Sequence, residues 1–273
     1  MGPFEPLMDE VTRLWPFAAL FSALALITKG ASIRSDLRKA SPEIRTNIAI
    51  FVVDCLLIIP FVVLPVSGII TGLGWELFAF WERLPALAVL LLAISIGDYV
   101  GYWRHRLNHL PILWPFHATH HSDRSMNWFS LSRVHPLERL YTATLDSTVL
   151  ALLGFPIWAI VLNNFIRNAW GYFIHADLRW TLGAVGHVMI SPSAHRWHHV
   201  RDLQESGTNF ATIFTAWDRL HGTYRHSKNA CEKPTGVEDH GGDYIYEMLS
   251  PPRLWGEMIH QKIARVFRRP SSK

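Results

Sequence analysis

Apolar and polar residues fall into long blocks along this chain rather than into the short repeats of surface helices or strands. The first apolar block runs from Leu14 to Thr28, with Pro16 placed to open a helix. The polar stretch Lys29 to Asn47 follows as a loop carrying Lys29, Arg34, Arg38, Lys39 and Arg45. The second block, Ile48 to Ile70, is long enough to cross a bilayer, and Pro60 and Pro65 predict a kink or an early end. The connector Thr71 to Pro85 has one basic residue, Arg83, and two tryptophans suited to a membrane interface, Trp75 and Trp81. The third block, Ala86 to Trp103, leads straight into a run of histidines. Gly154 and Pro156, in "LLGFPIW", break the fourth block, Ala143 to Ile166. Its halves of about 10–12 residues predict a re-entrant or interfacial helical hairpin. Asn168 to Met189 reads as a helix at the membrane surface, Arg225 to Asp243 as loops, and Arg253 to Arg269 as either a basic interfacial helix or a solvated basic end.

These elements predict an all-α integral membrane protein with about three transmembrane helices, one hairpin and a helical cap. Basic residues crowd the loop after the first block and are scarce after the second. The positive-inside rule then places Lys29 to Asn47 in the cytoplasm, the 71–85 connector outside, and the end of the third block back in the cytoplasm. A straight fourth span would carry the later histidines to the opposite side, whereas a hairpin keeps them all on the cytoplasmic face. The expected division is membrane helices over 1–85, a catalytic unit over 86–224 and a polar cytosolic tail over 225–273.

Composition supports membrane residence: of 273 residues 49% are hydrophobic and only 18% charged, more apolar than an average soluble domain. The net charge of +4 is mild, and no nucleic-acid motif accompanies it. Cys55 and Cys231 form no C-x-x-C and are expected to be reduced. The start "MGPFEPLMDEVTRLW" is acidic and lacks the basic region of a signal peptide, so no cleavage is expected.

The histidines carry the chemistry. "HRLNH" holds His105 and His109, "HATHH" holds His117, His120 and His121, and "HRWHH" holds His195, His198 and His199. Spacings of i, i+3 and i+4 share one helix face, so each box aims its imidazoles into one space. Neutral imidazole ligates iron, zinc, copper and nickel, and one metal rarely takes more than six donors, so eight histidines predict two metals. Composition alone accounts for only ~0.05 copies of His-x-x-His-His in the chain, against the two observed. Asp98 shares a stripe with His105 and His109 on the third block and is a candidate to hold a ligand histidine's second N–H. Taken singly, His135, His175 and His187 are more often structural than ligating. A zinc hydrolase would show His-Glu-x-x-His, which is absent, and a metal transporter would place its ligands at mid-membrane.

The segments "GDYVGYWRHRLNH", "WPFHATHHSD", "SRVHPLE", "SAHRWHHV" and "NFATIFTAWDRLHGTY" resemble the fatty acid hydroxylase superfamily, also called the sterol desaturase family, over roughly residues 86–224. The resemblance implies an integral-membrane, non-haem di-iron oxygenase that uses O2 to hydroxylate a fatty acyl, sphingoid, sterol or related lipid. Desaturation or C-4 methyl oxidation on the same centre is the alternative, and purified protein of this kind can carry zinc in place of iron. The resemblance makes the eight box histidines metal ligands and adds His175, in "FIHADL". It makes His135, Asn209 and Asp218 candidates for metal binding or site support. No His-Pro-Gly-Gly segment of a fused haem domain is present, so a separate redox partner is expected to supply electrons. Trp103, Trp114, Phe116, Trp128, Phe129, Trp170 and Phe173 are the candidate pocket-lining aromatics, with core packing as their other role.

Overall fold

A computed structural model describes residues 5–63, 68, 78–225, 229–238 and 243–267. Among these residues every regular element is helical, and β pairing is limited to two isolated bridges, Met189 with Phe214 and Val200 with Thr235. Helix α1 spans Glu5–Lys29, and α2, Ile33–Val53, continues into a π-helical segment, Asp54–Val63. Pro16 lies inside α1 rather than at its start. The helix extends N-terminally through the acidic Asp9 and Glu10, which favour the positive end of its dipole, and Pro16 forfeits only one backbone hydrogen bond.

Lys29 to Asn47 is not a loop; it is helical from Ile33 onward. Its polar residues find buried partners instead of water: Asn47 donates to Asp123 at 2.9 Å, and Glu43 pairs with Arg133 at 2.5 Å. The chain reverses at Gly30, whose φ of +51° suits a residue without Cβ, and α1 packs back along α2 and the π segment. The helix widens to π register ahead of Pro60, whose ring would crowd a carbonyl of the preceding α-helical turn. Pro65 and Trp75 lie outside the described residues. Two stretches are long and apolar enough to cross a membrane, Met8–Phe61 and Ala86–Asn108. The first contains the reversal at Gly30, so its two arms fold against each other.

Helix α3, Ala86–Asn108, packs against both arms of a hairpin formed by α5, Pro136–Leu152, and α6, Ile157–His175. The hairpin turns where the sequence predicts: Gly154 has φ +69° and Pro156 precedes α6. Trp81 closes the turn, stacking on Phe155 with ring centroids 3.8 Å apart and donating to the Leu153 carbonyl at 2.9 Å. Phe155 packs with Val89 and Ala93, near the start of α3. The arms, 17 and 19 residues, are longer than expected and reach roughly 25–28 Å along α3. Both open ends therefore lie at the end of α3 that carries His105. The outer faces remain apolar, with Leu87 and Leu91 of α3 and Val161 and Phe165 of α6 exposed.

The contact between α3 and α6 is close because Gly97 and Gly101 face Asn163 and Arg167. A Cβ on Gly101 would lie 1.9 Å from an Arg167 Nη2 atom. That guanidinium is held at 3.0 Å by Asp146, which also binds Arg104 at 2.8 Å. Gly101→Ala is expected to displace Arg167 and cost about 1–3 kcal/mol. A fall in the thermal midpoint of the detergent-purified protein checks this, and an unchanged midpoint would show that the contact has room to give.

Four further helices close the histidine end: α4, Trp114–His121; α7, Pro192–His198; α8, Thr215–Leu220; and α9, Tyr244–Phe267. The surface helix expected over Asn168 to Met189 stops at His175, and the positive φ of Leu182 and Gly183 excludes a continuous helix beyond it. Helix α9 covers most of the predicted basic helix, while Arg268 and Arg269 lie outside the described residues. Rather than standing apart as a tail, α9 packs on α4 and α2 and buries Glu247 against Arg133. Cys55 and Cys231 are free, as expected.

Candidate metal centre

The boxes fall on helices, as their spacing predicts: His105 near the end of α3, His117 to His121 on α4, and His195 and His198 on α7, with His109 and His199 as the C-caps of α3 and α7. Together with His175 at the end of α6 they form two groups. His105, His109, His117, His121 and His198 make one, and His120, His175, His195 and His199 make the other, with ligand atoms inside each group within 4.8 Å of one another. Each His-x-x-His-His box straddles the two. In the first, His117 and His121 go to one group and His120 to the other; in the second, His195 and His199 go to one and His198 to the other. The i, i+4 pair lies in one group and the remaining histidine in the adjacent one. The groups touch where His121 stacks on His199, ring centroids 4.3 Å apart.

Donor and acceptor accounting tests whether these groups fit metal ions. The Nδ1 atoms of His105 and His198 donate to the carbonyls of Phe210 and Thr208, each at 2.7 Å, and that of His120 to the Arg133 carbonyl at 3.2 Å. His175 Nδ1 donates to the Gly171 carbonyl at 2.7 Å. A carbonyl only accepts, so in these neutral rings Nε2 carries a bare lone pair. In the first group all five Nε2 atoms are buried without a protein partner. In the second, the lone pairs of His120 and His175 face each other at 3.2 Å, which no hydrogen bond explains and a shared cation would. Ligating imidazoles must be neutral. Burial and neighbouring imidazoles push His121, His195 and His199 well below the ordinary histidine range, and burial takes His198 down to about 3. The donor set fits two imidazole-bound transition metals.

The expected supporting residues divide. Asp98 does not reach a histidine: its carboxylate accepts the backbone N–H groups of Thr212, Ile213 and Phe214 at 2.8–3.2 Å. Asp218 accepts those of Phe210 and Ala211, at 2.8 and 2.9 Å. The two carboxylates thus brace the strap whose Phe210 carbonyl orients His105. Asn209, at φ +56°, ties this strap to α7 by donating to the Ala194 carbonyl at 2.9 Å. His135 is no ligand here, because both its nitrogens are used. Nδ1 accepts the Leu137 N–H and caps α5, and Nε2 donates to the Met248 carbonyl. The seven candidate aromatics do not line the cavity beside the histidines; Trp114 instead packs its ring on His109 and His121, centroids 5.1 and 5.3 Å away.

Two supporting residues escaped the sequence reading. Glu138 accepts from His117 Nδ1 at 2.7 Å and from Asn108 at 2.9 Å, and Arg133 is fully buried with its carbonyl on His120. Both lie in or beside "RVHPLE", where a glutamate and an arginine flank a helix start, and nothing in spacing alone points them inward. Glu138→Gln is expected to weaken metal binding about 10–100-fold by loosening His117. Competition with a chelator measures this, and unaltered affinity would exclude the role.

A cavity of about 300 Å³ opens between the two groups, reached by His105, His117, His120, His175 and His195. A larger one of about 680 Å³, between the α1–α2 corner and the segments after Asp123 and His175, touches none of the nine histidines.

The helical frame, the two histidine groups and the sequence likeness define one class. Residues 90–223 match the sequence model of the fatty acid hydroxylase family, and this region belongs to that family. It is similar to the ornithine lipid hydroxylase OlsE of Rhizobium tropici, 30% identical over 160 residues that cover 58% of this chain and 48% of that protein. It is also similar to the alkylglycerol monooxygenase of Danio rerio, 27% identical over 208 residues covering 72% and 45%. Methylsterol monooxygenase 1 of Rattus norvegicus is 27% identical over 159 residues, covering 52% and 50%. The chain spans about half the length of these curated relatives. No solved structure matches it.

Proposed function

We propose that the chain is an O2-dependent lipid hydroxylase of the membrane, with residues 86–224 as its catalytic unit and two iron ions held by the nine histidines. The observation that carries this reading is the pair of adjoining histidine groups with buried, unpartnered nitrogens. Five of the histidines would hold one ion and four the other. The relatives are named as hydroxylases or monooxygenases acting on lipids, which supports the same chemistry. The balanced reaction is R–H + O2 + 2e⁻ + 2H⁺ → R–OH + H2O, with a separate electron donor. Bound iron supplies the reductive use of O2 that side-chain acids and bases cannot perform on an unactivated carbon.

The chain's own residues fix and shelter the site. Glu138 and the carbonyls of Phe210, Thr208, Arg133 and Gly171 set the ring orientations. Seven of the nine histidines are buried and His105 and His109 are half-buried, which limits water at the centre. The α5–α6 hairpin brings both of its ends to the same side as the boxes. Glu43 of α2 reaches Arg133 there, so the basic Lys29–Arg45 stretch lies at the histidine end, which supports a cytoplasmic placement of the boxes.

The test is O2 uptake by chemically reduced, iron-loaded protein in lipid, with products read by mass spectrometry. Lipid gaining one oxygen atom from labelled O2 is the expected result. Tightly held zinc with no O2 reaction after iron reconstitution would overturn the reading.

A further inference from the structure

The cavity between the histidine groups carries many polar side chains, among them Thr142, Ser147, Asn164 and Asn168. A site that grips the middle of a lipid tail calls for an apolar wall. Besides histidine nitrogens, three buried atoms of this wall have no hydrogen-bond partner in the protein: Glu138 Oε2, Thr142 Oγ1 and Arg167 Nε. Glu138 is 3% exposed, and its Oε1 is already taken by His117 and Asn108. Thr142 stands one turn further along α5 on the same face. A carboxylate oxygen only accepts, so the group that completes it is a hydrogen-bond donor. The arginines of the wall already face carboxylates: Arg104 and Arg167 share Asp146, Arg167 also lies 3.8 Å from Asp98, and Arg139 pairs with Asp54. An anionic headgroup therefore finds no spare cation among them.

We propose that this cavity binds the polar end of the lipid, through a hydroxyl or amino group that donates to Glu138 Oε2 beside Thr142. The C–H bond presented to the two histidine groups then lies within a few bonds of that end and not in mid-tail. This rests on the hydroxylase reading and adds the substrate class, a lipid with an uncharged or cationic, donor-bearing polar end.

The experiment uses the full-length, metal-loaded protein and two probes, 1,2-dodecanediol and its dimethyl ether, with binding measured by calorimetry. A site built around a hydrogen bond rejects the analogue that lacks it, so the diol should bind at least about tenfold more tightly. Thr142→Val should weaken the diol and leave the ether unchanged, with metal content as in the wild type. Equal binding of the two probes by the wild type would show a cavity filled by water only and would overturn the proposal. In turnover, oxygen mapped to mid-tail carbons would also overturn it while leaving the hydroxylase reading intact. Selective diol binding without O2 uptake on any lipid would uphold the cavity's preference and overturn the hydroxylase reading.

Discussion

His120→Ala should bind one iron per chain where the wild type binds two, and should lose O2-dependent activity by at least about 100-fold, beyond what loss of an outer partner costs. His120 belongs to the four-histidine group, where its Nε2 faces His175 Nε2 at 3.2 Å. Removing it leaves His175, His195 and His199, while the five-histidine group keeps every member. The substitution lies at the end of α4, outside both stretches apolar enough to cross a membrane, so insertion should be unaffected. Metal analysis after membrane extraction measures the effect. Two irons and retained turnover would remove His120 from the centre, and loss of both would show that the two groups load only together.

Arg133→Met should be the most destabilising single change. The guanidinium is fully buried, binding Glu43 of α2 at 2.5 Å, Asn47 at 3.2 Å and Glu247 of α9 at 3.0 Å. Its backbone carbonyl meanwhile orients His120. Removing the cation on which two buried carboxylates converge costs about 3–5 kcal/mol, whereas replacing a whole buried ion cluster by neutral groups is often neutral or better. Arg133→Met combined with Glu43→Gln and Glu247→Gln should therefore recover much of the loss. Denaturant unfolding in detergent compares the two. A loss below about 1 kcal/mol for the single variant would mean that the cluster is solvated and not a structural joint.

The clustering of the histidines was more legible in the sequence than the residues that support it. His-x-x-His-His spacing carries its own geometry, because residues three and four apart share a helix face wherever the helix lies. The hairpin break was equally plain, since Gly154 and Pro156 act locally. What the boxes could not reveal was their partition: that His120 and His198 cross to the neighbouring group depends on how α4 and α7 face each other. Asp98 shows the limit of stripe reasoning. It shares a face with His105, yet the backbone amides of Thr212 to Phe214 reach its carboxylate instead, an arrangement set by a strap more than 100 positions away in sequence. Lys29 to Asn47 read as a loop because its polarity matches solvent. It is a helix because Arg133 and Asp123 supply that polarity from inside the protein. Buried charge and exposed charge look alike until a partner is placed.

The most direct test of the central claim is iron stoichiometry of the purified, iron-grown protein, with X-ray absorption reporting the ligand atoms. Two irons per chain in a nitrogen- and oxygen-bound, sulfur-free environment is the result expected of adjoining five- and four-histidine groups. A chain that saturates with a single metal, or binds none after reconstitution, would contradict the account.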